Sequence, residues 1–356
     1  MKRRGEGERG RRRARRSVIC VLLFSPLLPL SVSPSLLPAQ DIVHVRSHDD
    51  NSERRLSGTI LDYNGEELQL RHASGREERL SASRVVKVAG AWSESHRKAN
   101  TRFSKGDFEA AEALYVQALG EEMRPWVGRR VRAQLTWCYR SLEQTEKAVK
   151  AFVPIYHEDP KTPYFTAVPL AWATSPPSPS LESQARLWMG DRNPSVARLI
   201  GASWSLSSAN RAEAIRTLQS LARDEDARVV FLAEAQIWRT RVATANDQER
   251  QRWEPRIQDM PATIRGGPLF VLAQALSRQK EPERAALTFM KTAVLYPAER
   301  DLTCHALLAA ARELETIERA QEATGLYRTI LVDHATSQVA TEAERRLKAL
   351  VGRDDM

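Results

Sequence analysis

Two periods divide the chain. From Asp41 to about Gly90, apolar positions alternate with polar ones: Leu56, Gly58 and Ile60 with Ser57 and Thr59, then Leu68 and Leu70 with Glu67, Gln69 and Arg71. A period of two belongs to half-buried strands. Asn64 and Gly65 fall between the runs, and both tolerate the positive φ of a tight hairpin turn; the stretch Ala73 to Arg76 supplies a second turn. Four or five short antiparallel strands are predicted over 41–90. From Trp92 onward apolar residues recur at intervals of three and four, and the prediction changes to helix.

The helical part repeats itself. "ANTRFSKGDFEAAEALYVQAL" carries Ala99, Gly106, Ala111, Tyr115 and Ala118, and the next unit supplies Leu135, Tyr139, Ala148, Phe152 and Pro160. The pattern returns with Leu272, Ala273, Leu276, Ala285, Phe289 and Pro297, then with Ala311, Leu314, Ala323, Tyr327 and Ile330. Small residues let two helices approach while large ones fill the space beside them. These units resemble the tetratricopeptide repeat. The spacing from Ala111 to Ala148 is 37 residues and from Ala285 to Ala323 is 38, slightly longer than the usual 34. The ending "YRTILVDHATSQVATEAERRLKAL" resembles the closing repeat and capping helix of tetratricopeptide proteins of the bacterial envelope.

Between the pairs, Pro176, Pro177 and Pro179 cannot continue a helix, so 166–180 reads as a rigid linker or a corner. Ala202, Leu206, Ala214, Leu218 and Leu221 then place irregular helix pairs over 181–263, which also resemble HEAT repeats; "MPATIRGGP" breaks the run. The expected fold is mainly α, a tetratricopeptide-like and partly HEAT-like α-solenoid with a small antiparallel β module in front. Its parts are a leader over 1–39, the β module over 41–90, a first repeat pair over 91–165, the linker, the irregular block, and a second pair with a capping helix over 264–350. The β module resembles a small barrel of the Sm-like or Src-homology-3-like kind. Members of the Sm group bind RNA, which would require a ring of modules with stacking and basic residues; the aromatic platform of a single-strand binder is missing here. A docking or capping role is expected of it.

Charge changes the picture once the N-terminus is set apart. Nine Lys or Arg and two Glu lie in the first forty residues, ahead of the uncharged stretch Ser17 to Gln40. A basic segment, an apolar run from Val18 to Phe24 and a small residue near the end are the parts of a secretory signal peptide, with cleavage expected after Ala39 or Gln40. An uncleaved anchor is the alternative, opposed by Pro26, Pro29, Pro34 and Pro38. Arg15 and Arg16 loosely resemble a twin-arginine signal, and export by that route or the general one stays open. Gly5, Gly7 and Gly10 match G-x-G-x-x-G without the preceding strand that a phosphate cradle needs. The formal charge of +9 falls to +2 without the leader, so no global field for polyanions remains. Cys138 and Cys304, widely separated, make neither a disulfide framework nor a zinc site.

Catalytic signatures are missing: no H-E-x-x-H, G-x-S-x-G, P-loop or C-x-x-C occurs. His44, His48, Asp49 and Asp50 form a local cluster that a polar turn explains. The eight tryptophans are expected to pack within the helix pairs. A solenoid's first helices line a concave groove. By repeat phase the groove would present His96, Asn100 and Phe103, then Gln134, Trp137 and Arg140, then Gln274 and Arg278, then Arg312. Asn100 and Gln134 occupy positions where some peptide-binding tetratricopeptide domains carry the amides of a carboxylate clamp, but that clamp's cations have no counterparts. The expected protein is an exported, non-enzymatic scaffold of the periplasm or cell envelope that binds a protein or peptide, without cofactor, metal, nucleic acid or a stable membrane span after cleavage. Alternatives are an accessory factor of envelope or cell-wall assembly, a hydrolase with dispersed catalytic residues, and polyanion binding.

Overall fold

A small sheet opens the molecule and helices make up the remainder. The computed structural model describes residues 40–47, 52–173 and 176–354, all within one unit, Gln40–Met356. The expected leader lies outside the described residues, as do His48, Asp49 and Asp50.

The strands are β1 (Asp41–Arg46), β2 (Glu53–Tyr63), β3 (Glu67–Arg71), β4 (Glu77–Ser81) and β5 (Val85–Ala89), antiparallel in the order β4-β3-β2-β1-β5. The long β2 pairs with β1 as far as Gly58 and with β3 from Thr59. Alternation holds along it to Ile60, after which the register shifts before Asp62. One face buries Val43, Val45, Ile60, Leu68, Leu70 and Leu80. These pack in one core with Ala99, Tyr115, Trp126 and Val131 of the first helices, so the sheet shares its interior with the helices that follow. The Asn64-Gly65 turn is docked as well: the Gly65 amide donates to Asp159 Oδ2 at 2.9 Å, and a Cβ at Gly65 would lie 1.8 Å from the Lys161 carbonyl oxygen.

Fourteen helices follow among the described residues: α1 (Glu94–Ser104), α2 (Phe108–Glu121), α3 (Pro125–Ser141), α4 (Thr145–Glu158), α5 (Pro179–Trp188), α6 (Ser195–Ser205) and α7 (Arg211–Leu221). The rest are α8 (Ala227–Arg239), α9 (Asp247–Asp259), α10 (Gly266–Arg278), α11 (Pro282–Leu295), α12 (Arg300–Thr316), α13 (Ala320–Asp333) and α14 (Ala340–Asp354). Four turns, α1–α2, α3–α4, α10–α11 and α12–α13, are built alike. Each places one residue in the left-handed region: Gly106, Glu143, Lys280 and Glu318. The next amide reaches back to the first helix in every case, Asp107 to Arg102, Gln144 to Tyr139, Glu281 to Leu276 and Arg319 to Leu314. This closes the last helical carbonyls in the Schellman manner. Each second helix is 14 residues long. At matched distances from the turns, Ala111, Ala148, Ala285 and Ala323 are fully buried, and so are Tyr115, Phe152, Phe289 and Tyr327 to within 2 %.

The middle block departs from this plan. Ala202, Leu206, Ala214, Leu218 and Leu221 are buried as their phase predicts, but the turn between α6 and α7 has no left-handed residue. The segment expected as a linker departs further. Phe165, Ala167, Val168, Leu170, Ala171 and Trp172 are all buried; the residues from Pro176 to Ser180 alone are largely outside. Residues 165–173 therefore run as a strap through the interior, a 3-10 turn over Phe165–Ala167 followed by an extended stretch from Val168, and α5 begins with Ser178 as its N-cap. Nor do all the tryptophans belong to helices, since Trp172 lies on the strap.

The helices around the strap form a row: α6 packs on α8, α8 on α10, α10 on α12, and α12 returns to α3. Strap and row meet at Gly267, where a Cβ would lie 2.0 Å from Trp172 Cε2. No side chain fits that approach. Gly267→Val is expected to destabilise the protein by about 3 kcal/mol, and Trp172→Ala by about 3–5 kcal/mol, read from urea unfolding midpoints.

Candidate functional site

Burying an extended segment is costly unless its peptide groups find partners. Here helix side chains supply them. Trp204 Nε1 donates to the Pro169 carbonyl at 2.9 Å; the Ala171 amide donates to Ser203 Oγ at 3.2 Å. Gln236 Nε2 donates to the Ala171 carbonyl at 3.1 Å and Arg239 Nη2 to that of Ala173 at 2.7 Å. Before the strap, Arg228 donates to the carbonyls of Pro160 and Thr162 and lies over the Phe165 ring. The inner face of the helices thus holds an extended chain by its backbone.

The strap leaves open space at one end. A cavity of about 350 Å³ is lined by Trp172 and Pro169 of the strap, Trp204 of α6, Glu143 at the α3–α4 turn, and Asp301 and His305 of α12. It shares Arg140, Glu143, Asp301 and Gln338 with an adjoining cavity of about 230 Å³. Arg140 closes the row here. Its guanidinium meets Glu299 at 3.3 Å, donates weakly to the Thr166 carbonyl at 3.4 Å and stacks on Trp137 at 4.3 Å. Burial raises the Glu299 carboxyl above its usual range while Arg140 pulls it down.

The expected groove residues scatter. His96 is 1 % exposed, tilted against Trp92 with ring centroids 4.8 Å apart and set edge-on to Tyr115. Asn100 accepts from the Tyr115 hydroxyl at 2.7 Å, and Phe103 packs edge-on against Phe108 and Tyr115. All three make contacts with the second helix of their own pair. Gln134 and Gln274 are half-buried. Arg278 is exposed, and Arg312 pairs with Glu342 at 2.9 Å on the surface. Trp137 and Arg140 lie together, and Arg140 alone of the nine reaches the cavity wall. The sequence reading missed Trp172, Trp204, Glu143, Asp301 and His305. A tryptophan beside a proline-rich break was the one available signal.

The titratable groups of this region are buried or paired. The Cys138 and Cys304 thiols are buried and pushed up to about 12 and about 11, which keeps them protonated near neutral pH. His305 Nε2 lies 3.6 Å from Asp301 Oδ1, one turn along the same helix. His44 pairs with Glu53 at 2.5 Å, and among the described residues no group of His, Cys, Asp and Glu could hold a metal ion. No described helix is long and apolar enough to cross a membrane. No protein-family model and no curated protein matches the chain.

Two measurements probe this region. Arg140→Met leaves Glu299 buried without its cation and is expected to cost about 3–5 kcal/mol in urea unfolding, most of it recovered in the double variant with Glu299→Leu. His96 is pushed down to about 4, first by burial and then by the nearby Arg130, and its Nε2 has no partner. The folded state therefore holds it neutral while the unfolded state takes a proton near pH 6.5. Its stability contribution is complete above that pH and is lost as pH falls toward 4, roughly 2–3 kcal/mol in all. In His96→Leu the slope of stability against pH across that window should fall by up to one proton.

Proposed function

We propose that this chain is an exported, non-enzymatic scaffold of the cell envelope that binds a segment of a partner protein at the cavity beside the strap. The four like turns and their buried alanines and aromatics support tetratricopeptide-like repeats, with a less regular, partly HEAT-like block between the pairs. Contacts running from α6 through α8 and α10 to α12 support a solenoid. The strand order of the β module, with a short 3-10 turn at Ala82–Arg84 before β5, supports a small Sm-like or Src-homology-3-like barrel. Because that barrel shares a core with α1–α4, its role is to cap the solenoid. Export rests on the basic, then apolar, then small-residue order of the first forty residues.

The strap is the observation that carries the binding reading. Side chains of α6 and α8 already hold an extended chain through its carbonyl and amide groups, a mode of recognition that needs no particular sequence. The strap occupies part of that face in cis, and a partner engages at the cavity beside it. The test places a photo-activated crosslinking residue at His305 or Gln338, on the cavity wall, and at Met123, which is 89 % exposed and far from it in sequence. One defined partner crosslinked in the envelope from the two cavity positions and not from Met123 is the expected result. The same products from all three positions, or none from the cavity, would overturn the reading.

A further inference from the structure

The wall chemistry of the 350 Å³ cavity selects a kind of side chain. Two tryptophans, Trp172 and Trp204, and Pro169 give it apolar and aromatic walls. Trp204 has its one donor committed to the Pro169 carbonyl, so it offers a ligand no further N–H. Four charged or titratable residues line the space: Arg140, Glu143, Asp301 and His305. The cation among them is spent, since Arg140 is 10 % exposed, paired with Glu299 and stacked on Trp137. Glu143 accepts from the Gln338 amide and has no ion pair among the described residues, and Asp301 is 61 % exposed, with His305 beside it at 3.6 Å. Lys105 and Arg300 line the adjoining cavity and not this one, and Arg300 lies over the Phe108 ring at 5.2 Å.

An aromatic chamber with two carboxylates at its wall is matched by a long apolar stem that ends in a cation. An anion would meet Glu143 and Asp301 as like charges, and a neutral polar head would gain little from the indoles. We infer that the cavity binds an arginine or lysine side chain of the partner segment, its stem against Trp172 and Trp204 and its charge at Glu143 and Asp301. This rests on the partner-binding reading and adds the ligand's chemistry to it.

The probe is the tripeptide acetyl-Ala-Arg-Ala-amide, titrated into the full chain against its lysine and citrulline counterparts with tryptophan fluorescence as the signal. Citrulline keeps the shape of arginine and removes its charge. Saturable binding of the arginine and lysine peptides, about tenfold tighter than that of citrulline, is expected. Glu143→Gln with Asp301→Asn should abolish that preference and leave the weak citrulline binding unchanged. Equal binding of arginine and citrulline peptides, or no saturable binding of the arginine peptide, would overturn the assignment even in the unaltered protein, where no question of misfolding arises. A partner crosslinked at His305 while the peptides fail to discriminate would sink the cation assignment and leave partner binding standing.

Discussion

Every peptide group that leaves water inside this protein without belonging to a helix or strand needs a hydrogen-bond partner, and the strap concentrates that demand, meeting it partly by its own backbone, as from the Leu170 amide to the Val168 carbonyl, and partly by helix side chains. Seven residues from Phe165 to Trp172 are buried, with Leu170 and Trp172 placed among apolar residues of the helical core. The hydrophobic gain from those side chains would be undone by unmatched carbonyls, each worth a few kcal/mol. Ser203, Trp204, Gln236 and Arg239 remove that penalty, and they sit on just two helices, α6 and α8. Gln236 is itself fully buried, and Arg239 donates to the Ser203 carbonyl as well as to the strap, so donors and acceptors form one connected set. The irregular middle block is the part of the chain that carries this set. Its departure from the repeat follows from the task of holding an interior segment.

The regular pairs have a different economy. Their second helices need a residue in the left-handed region to turn sharply, yet only the first turn uses glycine; Glu143, Lys280 and Glu318 adopt the same backbone. A side chain there costs roughly 1 kcal/mol, which the two backbone hydrogen bonds of each turn and the fully buried alanine beyond it offset. At the α3–α4 turn the non-glycine residue has a further consequence, since it puts the Glu143 carboxylate on the cavity wall.

Much of the architecture was legible in the chain. Period two located the strands and the Asn64-Gly65 turn, and the spacing of Ala111, Ala148, Ala285 and Ala323 located four equivalent helix pairs, because those signals are local and each repeat restates them. The site was not legible. His96, Asn100 and Phe103 have the right phase to face outward along α1, but Tyr115 of α2 offers each of them a ring or a hydroxyl, and they turn toward it. Nothing local tells that Arg140 meets Glu299 or that Trp172 covers Gly267, since those contacts join distant parts of the chain. The prolines near 176 did mark a break, but they drew attention away from the buried residues just before them.

Those prolines also border the cavity. The helices grip the strap through its amides and carbonyls, and among the described residues the last grip is Arg239 on the Ala173 carbonyl. Pro176 and Pro177 have no N–H to offer, and Pro179 can be accepted only at the first turn of a helix, which Ser178 caps with its hydroxyl toward the Leu181 amide at 3.3 Å. Among the residues described beyond that point, Ser178, Pro179 and Ser180 are exposed. Meanwhile the row of helices continues to α12 and on to α3, locked there by Arg140 and Glu299. The open space lies where row and strap meet, walled by the strap's own last tryptophan, by Trp204 and by Arg140.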